Sequence, residues 1–456
     1  MKTLPIECYY IIFNNFRHDY KNLFSCALVS RKWCRIIIPL LWSEPEHHFK
    51  DIRLIRTFLL TLNAKEQSLL IPFKITLPNH PKPLFEYTSY ITSVTSDLCD
   101  GIKNWLPNKS YEIGHELDNA IKCSLIAMFL RTCKNLKYLN LDETICNQIV
   151  FENLYKNTTI TSLDLFKFNA IDVVVKILYK NSNLTSLNLR SNQLGLEGVK
   201  TLLKALYKNT ALNTLNLCNN QLCTEGAEML AKFLCNNTTL ISLNLFANNL
   251  GSEGGYALAN ALCNNNTLKY LNLHYNRLGL EGGQALADAL CKNDTLISLN
   301  LCWNNLGLDG GKILADALCM NTTLTFLDLS ENNIGSEGGK ALANALCKNN
   351  TLISLKISWN NIESEGGKAL ADALCKNTSL KDLNLQCNKL GSEGGKALAD
   401  ALCKNTTLKV LNLQSNKLGF EGGKALADAL CKNNTLTSLN IGKSGTIFIT
   451  NDKNKN

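Results

Sequence analysis

At 456 residues, 45% apolar and 19% charged, the chain is too long for one simple core and has the composition of a folded protein, which excludes wholesale disorder. No run of about 18 uncharged apolar residues occurs, so neither a membrane-spanning helix nor a membrane partner is expected. The formal net charge of +9 raises nucleic acid as a partner. However, most lysines are spread beside Glu or Asp, as in SEGGKALADALCKN, which predicts a solvated face and no nucleic-acid binding.

The opening MKTLPIECYYIIFNNF has an early Glu7, no basic leader and no small-residue cleavage site, so a secretory signal is not expected. Leu4-Pro5 reads as a helix start, followed by Ile11, Ile12, Phe13 and Phe16 at helical spacing. A second helix is predicted to carry Leu23, Phe24, Ala27, Leu28 and Trp33. Residues 1–45 thus form a small all-α unit, small enough to need a neighbour or partner to complete its core.

In Leu4-Pro5-x-Glu7, Ile12, Asn15-Phe16, Leu23, Leu28-Val29-Ser30-Arg31-x-Trp33 and Leu41-Trp42, this unit resembles an F-box. Tyr9-Tyr10 stands where that family has a small or aliphatic pair. The resemblance implies docking on an Skp1-like adaptor, joined to a cullin, with the downstream repeats choosing a protein for ubiquitination. By the same resemblance Leu4, Pro5, Ile12, Val29, Ser30 and Trp33 contact Skp1. On packing grounds alone, Ile12 and Trp33 read equally well as core.

Residues 46–130 hold five of the eight prolines and no repeat. DIRLIRTFLLTLNAK reads as one helix and the remainder as loops with short elements, together a linker and cap over the open end of the downstream array. His47-His48 has no second ligand pair at useful spacing and reads as a polar loop.

From 131 to 442 the chain repeats L-x-x-L-x-L-x-x-N-x-L-G-x-E-G-G-K-A-L-A-x-A-L-C-K-N-x-T, in 28-residue steps from Leu184 after two 24-residue units at Leu136 and Ile160. L-x-L alternates with the strand period and A-L-A-x-A-L-C lines one helix face, so each unit is a strand and a helix. Strands stack about 4.8 Å apart and helices about 8–10 Å apart, which forces a curve of roughly 20–30° per repeat. The pattern resembles leucine-rich repeats of the ribonuclease-inhibitor type, and the resemblance implies an α/β horseshoe with a parallel inner sheet and outer helices. In the terminal segment 443–456, TIFIT reads as an edge strand and the polar tail after it as disordered.

Within the repeat, the asparagines from Asn192 to Asn416 at 28-residue steps are expected to turn inward onto the backbone of the turn. Gly251, Gly279 and Gly335 fit positive φ, and pairs such as Gly338-Gly339 fit close helix approach. GSEGGKA lacks the spacing and the Ser or Thr of a phosphate loop. The strand asparagines, Asn188 to Asn440, are expected to stack as an amide ladder. Eight cysteines at 28-residue steps, Cys235 to Cys431, are too far apart for disulfides and read as buried thiols of a reducing, cytoplasmic or nuclear, compartment. The N-x-[ST] matches of the KNxTL turn are then not glycosylated.

The concave positions vary while the frame does not. Between residues 240 and 362 they supply Phe246, Tyr270, His274, Tyr275, Trp303, Phe326, Glu331 and Trp359. Outer repeats instead offer Arg190, Ser191, Cys218, Asn219, Gln386, Cys387, Gln414 and Ser415. Gathered aromatics that packing does not require predict a site for a protein substrate, although aromatic residues on a sheet face also stabilise cross-strand pairs. No nucleophile–base pair or metal cluster stands out, so the chain reads as a non-catalytic adaptor without cofactor or metal. A stand-alone binding or inhibitory horseshoe stays open as the alternative. A GTPase-activating protein of the Ran type is disfavoured by the F-box-like start.

Overall fold

The computed structural model describes residues 4–17, 19–43, 48–75, 77, 86–106, 111–145, 147–442 and 447–448. They fall into two compact units, residues 1–192 with 208–212 and residues 193–207 with 213–456.

The first unit begins with three helices, α1 (Ile6–Asn14), α2 (Tyr20–Ala27) and α3 (Arg31–Ser43). Phe13, Leu23, Ala27, Ile36, Ile37 and Leu40 form their core, and Tyr9 and Trp33 pack against it. Pro5 sits at the N-cap of α1, as Leu4-Pro5 predicts. The expected single second helix is instead two. The chain breaks at Val29-Ser30, where the Ser30 hydroxyl accepts the Trp33 N–H (3.1 Å) and starts a new helix.

The segment read as one helix from Asp51 also breaks. Asp51 caps a helix over Ile52–Leu59, and Asn63 with Glu66 forms a capping box that opens a separate turn over Ala64–Gln67. The chain beyond it is more helical than the prolines suggest, with helices over Asp97–Trp105 and Tyr111–Thr132. Phe129 of that long helix meets Phe49 and Phe58, with ring centroids among the three 4.9–6.2 Å apart. Arg131 donates to both carboxylate oxygens of the buried Glu66 (2.6 and 2.8 Å). Strand β1 (Ser93–Val94) pairs in parallel with β2 (Tyr138–Asp142), followed by β3 (Ser162–Phe166) and β4 (Ser186–Asn188), so the cap contributes an edge strand to the first repeats. His47 lies outside the described residues, and His48 packs edge-on against Tyr20.

The second unit is a strand–helix solenoid. Its strands are β5 (Thr214–Asn216), β6 (Ser242–Asn244), β7 (Tyr270–Asn272), β8 (Ser298–Asn300), β9 (Phe326–Asp328), β10 (Ser354–Lys356), β11 (Asp382–Asn384), β12 (Val410–Asn412) and β13 (Ser438–Asn440). Each pairs in parallel with the next, and paired residues are 28 apart, as in Leu271↔Leu299. Equivalent side chains therefore stack on one another. The predicted edge strand appears as β14 (Ile447–Phe448), antiparallel to β13; the rest of the expected tail lies outside the described residues.

Each repeat returns through a helix such as Gly251–Leu262, which buries Leu258, Ala259, Ala261 and Leu262. The glycine that opens it has φ +69°, a region costly for other residues. A Cβ on Gly255 would come within 3.1 Å of Gly282 Cα, so the two helices approach closely at this pair, although Val199 and Ala227 fill the same place in the two preceding repeats.

The inward asparagine does more than bind its own turn. Asn304 Oδ1 accepts the N–H of Asn276 (3.0 Å) and of Leu278 (3.3 Å) in the preceding repeat. Its Nδ2 donates to the carbonyls of Leu273 (2.9 Å), Leu301 (2.9 Å) and Cys302 (3.2 Å). The bond from the preceding asparagine's N–H and the bond to the preceding repeat's Leu or Ile carbonyl recur at Asn276, Asn332, Asn360 and Asn388, all fully buried.

Two expectations are corrected. The strand asparagines do not stack amide on amide: Asn244, Asn272, Asn300, Asn384 and Asn412 each accept the N–H two residues on (2.9–3.0 Å), a local turn that ends the strand. The repeated cysteines are not buried: Cys319 is half-buried and the other seven are exposed. Each follows the last buried leucine of its helix, and one step of about 100° turns it outward.

Asn304→Ala leaves the Asn276 N–H and the Leu273 carbonyl buried without partners, which is expected to cost about 3 kcal/mol. The exposed Thr322→Ala change is expected to cost less than about 0.5 kcal/mol. Urea denaturation of the two variants checks this; equal midpoints would contradict it.

Candidate functional site

The site lies in the second unit, where each strand ends and the chain turns to its helix. The inward asparagine is flanked by two residues with left-handed φ, as in Tyr275 (58°), Asn276 and Arg277 (57°), or Trp303 (56°), Asn304 and Asn305 (56°). A left-handed non-glycine residue costs roughly 1–2 kcal/mol. The buried amide compensates, and the same turn that draws the asparagine in drives its two neighbours out. Large rings at these places are therefore presented to solvent by the backbone.

Trp303 is 48% exposed, Trp359 54% and Tyr275 42%, so these rings are not part of the core. Phe246 lies 4.6 Å from His274 and 6.4 Å from Tyr275 between ring centroids, and Tyr275 meets Trp303 edge-on at 5.1 Å. Four of the eight predicted residues thus make one continuous aromatic row across β6, β7 and β8. Trp303 continues into a groove of about 490 Å³ whose walls include Glu331 and Trp359.

Tyr270 and Phe326 belong elsewhere. They start their strands, four residues before the row, which is roughly 13 Å along an extended chain. Phe326 is covered by Lys356, whose Nζ lies 5.1 Å from the ring centroid. Tyr270 is 47% exposed.

The groove also contains residues that the sequence pattern did not single out: Asn305, Asn333, Asn361, Lys389 and Lys417, each one place beyond the inward asparagine. The signal was present in the sequence, because that place varies among Gln, Asn, Arg and Lys between the constant asparagine and a Leu or Ile. Cys387 and Ser415, assigned to the outer repeats, line the groove too. In the first unit Phe166 is a further exposed ring that the repeat pattern did not flag; Lys167 and Arg190 lie over it at 5.4 and 5.8 Å.

Burial, with the neighbouring carboxylates Asp328 and Glu331, pushes the Cys302 thiol up to about 12, which keeps it protonated and unreactive at neutral pH. Burial also holds His274 below its ordinary 6.5, against the opposing pull of Asp328 and Glu331. His274 is therefore neutral at pH 7 and packs as a ring.

Because the folded state disfavours the charged imidazole, the stability that His274 contributes is complete above pH 6.5 and falls as the pH drops below it. An NMR titration of His274 is expected to give a midpoint below 6.5. A midpoint at or above that value contradicts the packing described.

Comparison with one protein family agrees with this architecture. The family described as Leucine Rich repeat matches at residues 180–203, 236–259, 264–287, 321–343, 348–371, 376–399 and 404–427. No curated protein matches the chain. Among solved structures it is similar to the leucine-rich repeat-containing protein LegL7 from Legionella pneumophila, at 22% identity and a TM-score of 0.45, over 65% of this chain and 99% of that one. It is also similar to a chain of the Rad7 and Elc1 complex in yeast, at 17% identity and a TM-score of 0.44, over 64% and 73% of the two chains. The actin-binding site 2 of leiomodin-1 aligns at 20% identity and a TM-score of 0.29, over 34% of this chain and 90% of that one. By repeat pattern, register and family match, residues 180–427 of this chain are leucine-rich repeats.

Proposed function

We propose that this chain is the substrate-recognition subunit of an Skp1–cullin–F-box ubiquitin ligase. In this reading the N-terminal helices dock an Skp1-like adaptor and the concave repeat face holds a protein substrate. The chain performs no chemistry; it supplies proximity and orientation, while partner subunits transfer ubiquitin.

The observation that carries the ligase reading is apolar surface on a bundle of about forty residues. Leu28 is 73% exposed, Ile11 67% and Val29 65%, and Leu4 and Ile12 are exposed as well. Helices of this size rarely leave so many large apolar residues in water unless a partner covers them. Ile12 is thus a surface residue, while Trp33, 5.0 Å from Phe13 and 6.0 Å from Tyr9, belongs to the packing beneath. Pro5 and Ser30 are exposed at the starts of α1 and α3.

A pull-down with purified Skp1 tests the reading. The intact chain is expected to be captured, and Ile12→Asp combined with Val29→Asp to reduce affinity by about 30-fold or more, with circular dichroism unchanged. Failure of the intact chain to bind Skp1 rejects the ligase role and leaves a stand-alone binding array. For the concave face, Trp303→Ala with Trp359→Ala is expected to weaken the partner found by proximity labelling by several kcal/mol. Larger losses from changes at Arg190 and Gln414 would place the site elsewhere.

A further inference from the structure

Trp303, Glu331 and Trp359 occupy the same place in three successive repeats, each three residues beyond paired strand positions Asn300, Asp328 and Lys356. At about 4.8 Å per strand, the two indoles stand two strands apart, about 10 Å, with the carboxylate between them. That span matches the chemistry of a cation. A positive side chain is attracted to a ring face within about 6 Å of its centroid, so one seated midway lies within reach of both indoles.

Glu331 supplies the charge such a guest needs, and it makes no salt bridge among the described residues. Trp303 is held from behind by Tyr275 at 5.1 Å, which limits its rotation. The three residues wall one groove, so they face a common space. Lys389 and Lys417 also line that groove. They lie about 10–15 Å from Glu331 by strand spacing, near enough to meet an acid on the same guest.

We propose that Trp303, Glu331 and Trp359 form a receptor for an arginine side chain of the protein substrate, with Lys389 and Lys417 receiving an acidic residue farther along the same segment. Arginine fits better than lysine because its planar guanidinium stacks on an indole while its N–H edge meets a carboxylate. This inference rests on the concave face being the substrate site, and it specifies what that face reads.

The test is selection of displayed random peptides on the intact purified chain, followed by fluorescence-polarisation titration of the best peptide. Recovered sequences are expected to share an arginine. Its replacement by citrulline, and Glu331→Gln in the protein, are each expected to weaken binding about tenfold or more; Trp303→Ala with Trp359→Ala is expected to abolish it. Circular dichroism of each variant controls for folding.

A consensus that needs both tryptophans but lacks arginine, or equal binding by Glu331→Gln, overturns the arginine receptor and leaves the concave site standing. Peptides indifferent to the tryptophan pair reject the concave site itself. Recovery of no sequence above background also counts against the receptor.

Discussion

The whole arrangement depends on one buried amide per repeat. A primary amide has two donors and two acceptor lone pairs, and the inward asparagine spends them on the backbone of two consecutive turns, as Asn304 does on Asn276, Leu273, Leu301 and Cys302. Inside a leucine-lined interior those backbone groups have no water to bond, and leaving them unpaired is costly. The amide therefore fixes the distance and register between repeats, and the sheet pairing, 28 residues apart from β5 to β13, conforms to it.

That constraint also creates the candidate site. Turning the asparagine inward requires left-handed backbone on both sides of it, and this aims the neighbouring side chains at solvent whatever they are. The positions can then vary at almost no cost to the frame: Ala247, Tyr275, Trp303, Glu331, Trp359, Cys387 and Ser415 share one φ near 57°. Binding character is thus set by a row of residues whose identity packing does not dictate. Along that row the aromatic stretch passes into Trp303, Glu331 and Trp359, and the groove then continues to two lysines.

Much of this was legible in the sequence because repetition separates frame from variation. The 28-residue period became the strand register, Gly251 took the positive φ its position required, and Trp303 and Trp359 emerged exposed. Other features depend on geometry that periodicity does not encode. The eight cysteines sit beside buried leucines in sequence but one helical step away in space. The strand asparagines look like a ladder in alignment, yet their side-chain oxygens accept the N–H two residues along the chain. Two helices that read as continuous are divided by polar caps at Ser30 and Asn63, whose hydrogen bonds outweigh the unbroken apolar spacing. The outward row from Asn305 to Lys417 escapes a search for aromatic residues because it is polar.

Native-state hydrogen exchange tests the central claim most directly. If the inward asparagines hold the frame, the N–H groups of Asn276, Asn304 and Asn332, each bonded to the asparagine of the next repeat, exchange as slowly as the best-protected helix amides of the same repeats. Exchange of these three at the rate of exposed turn amides would show that these bonds open freely, and the rigid display of the variable row would fall with them.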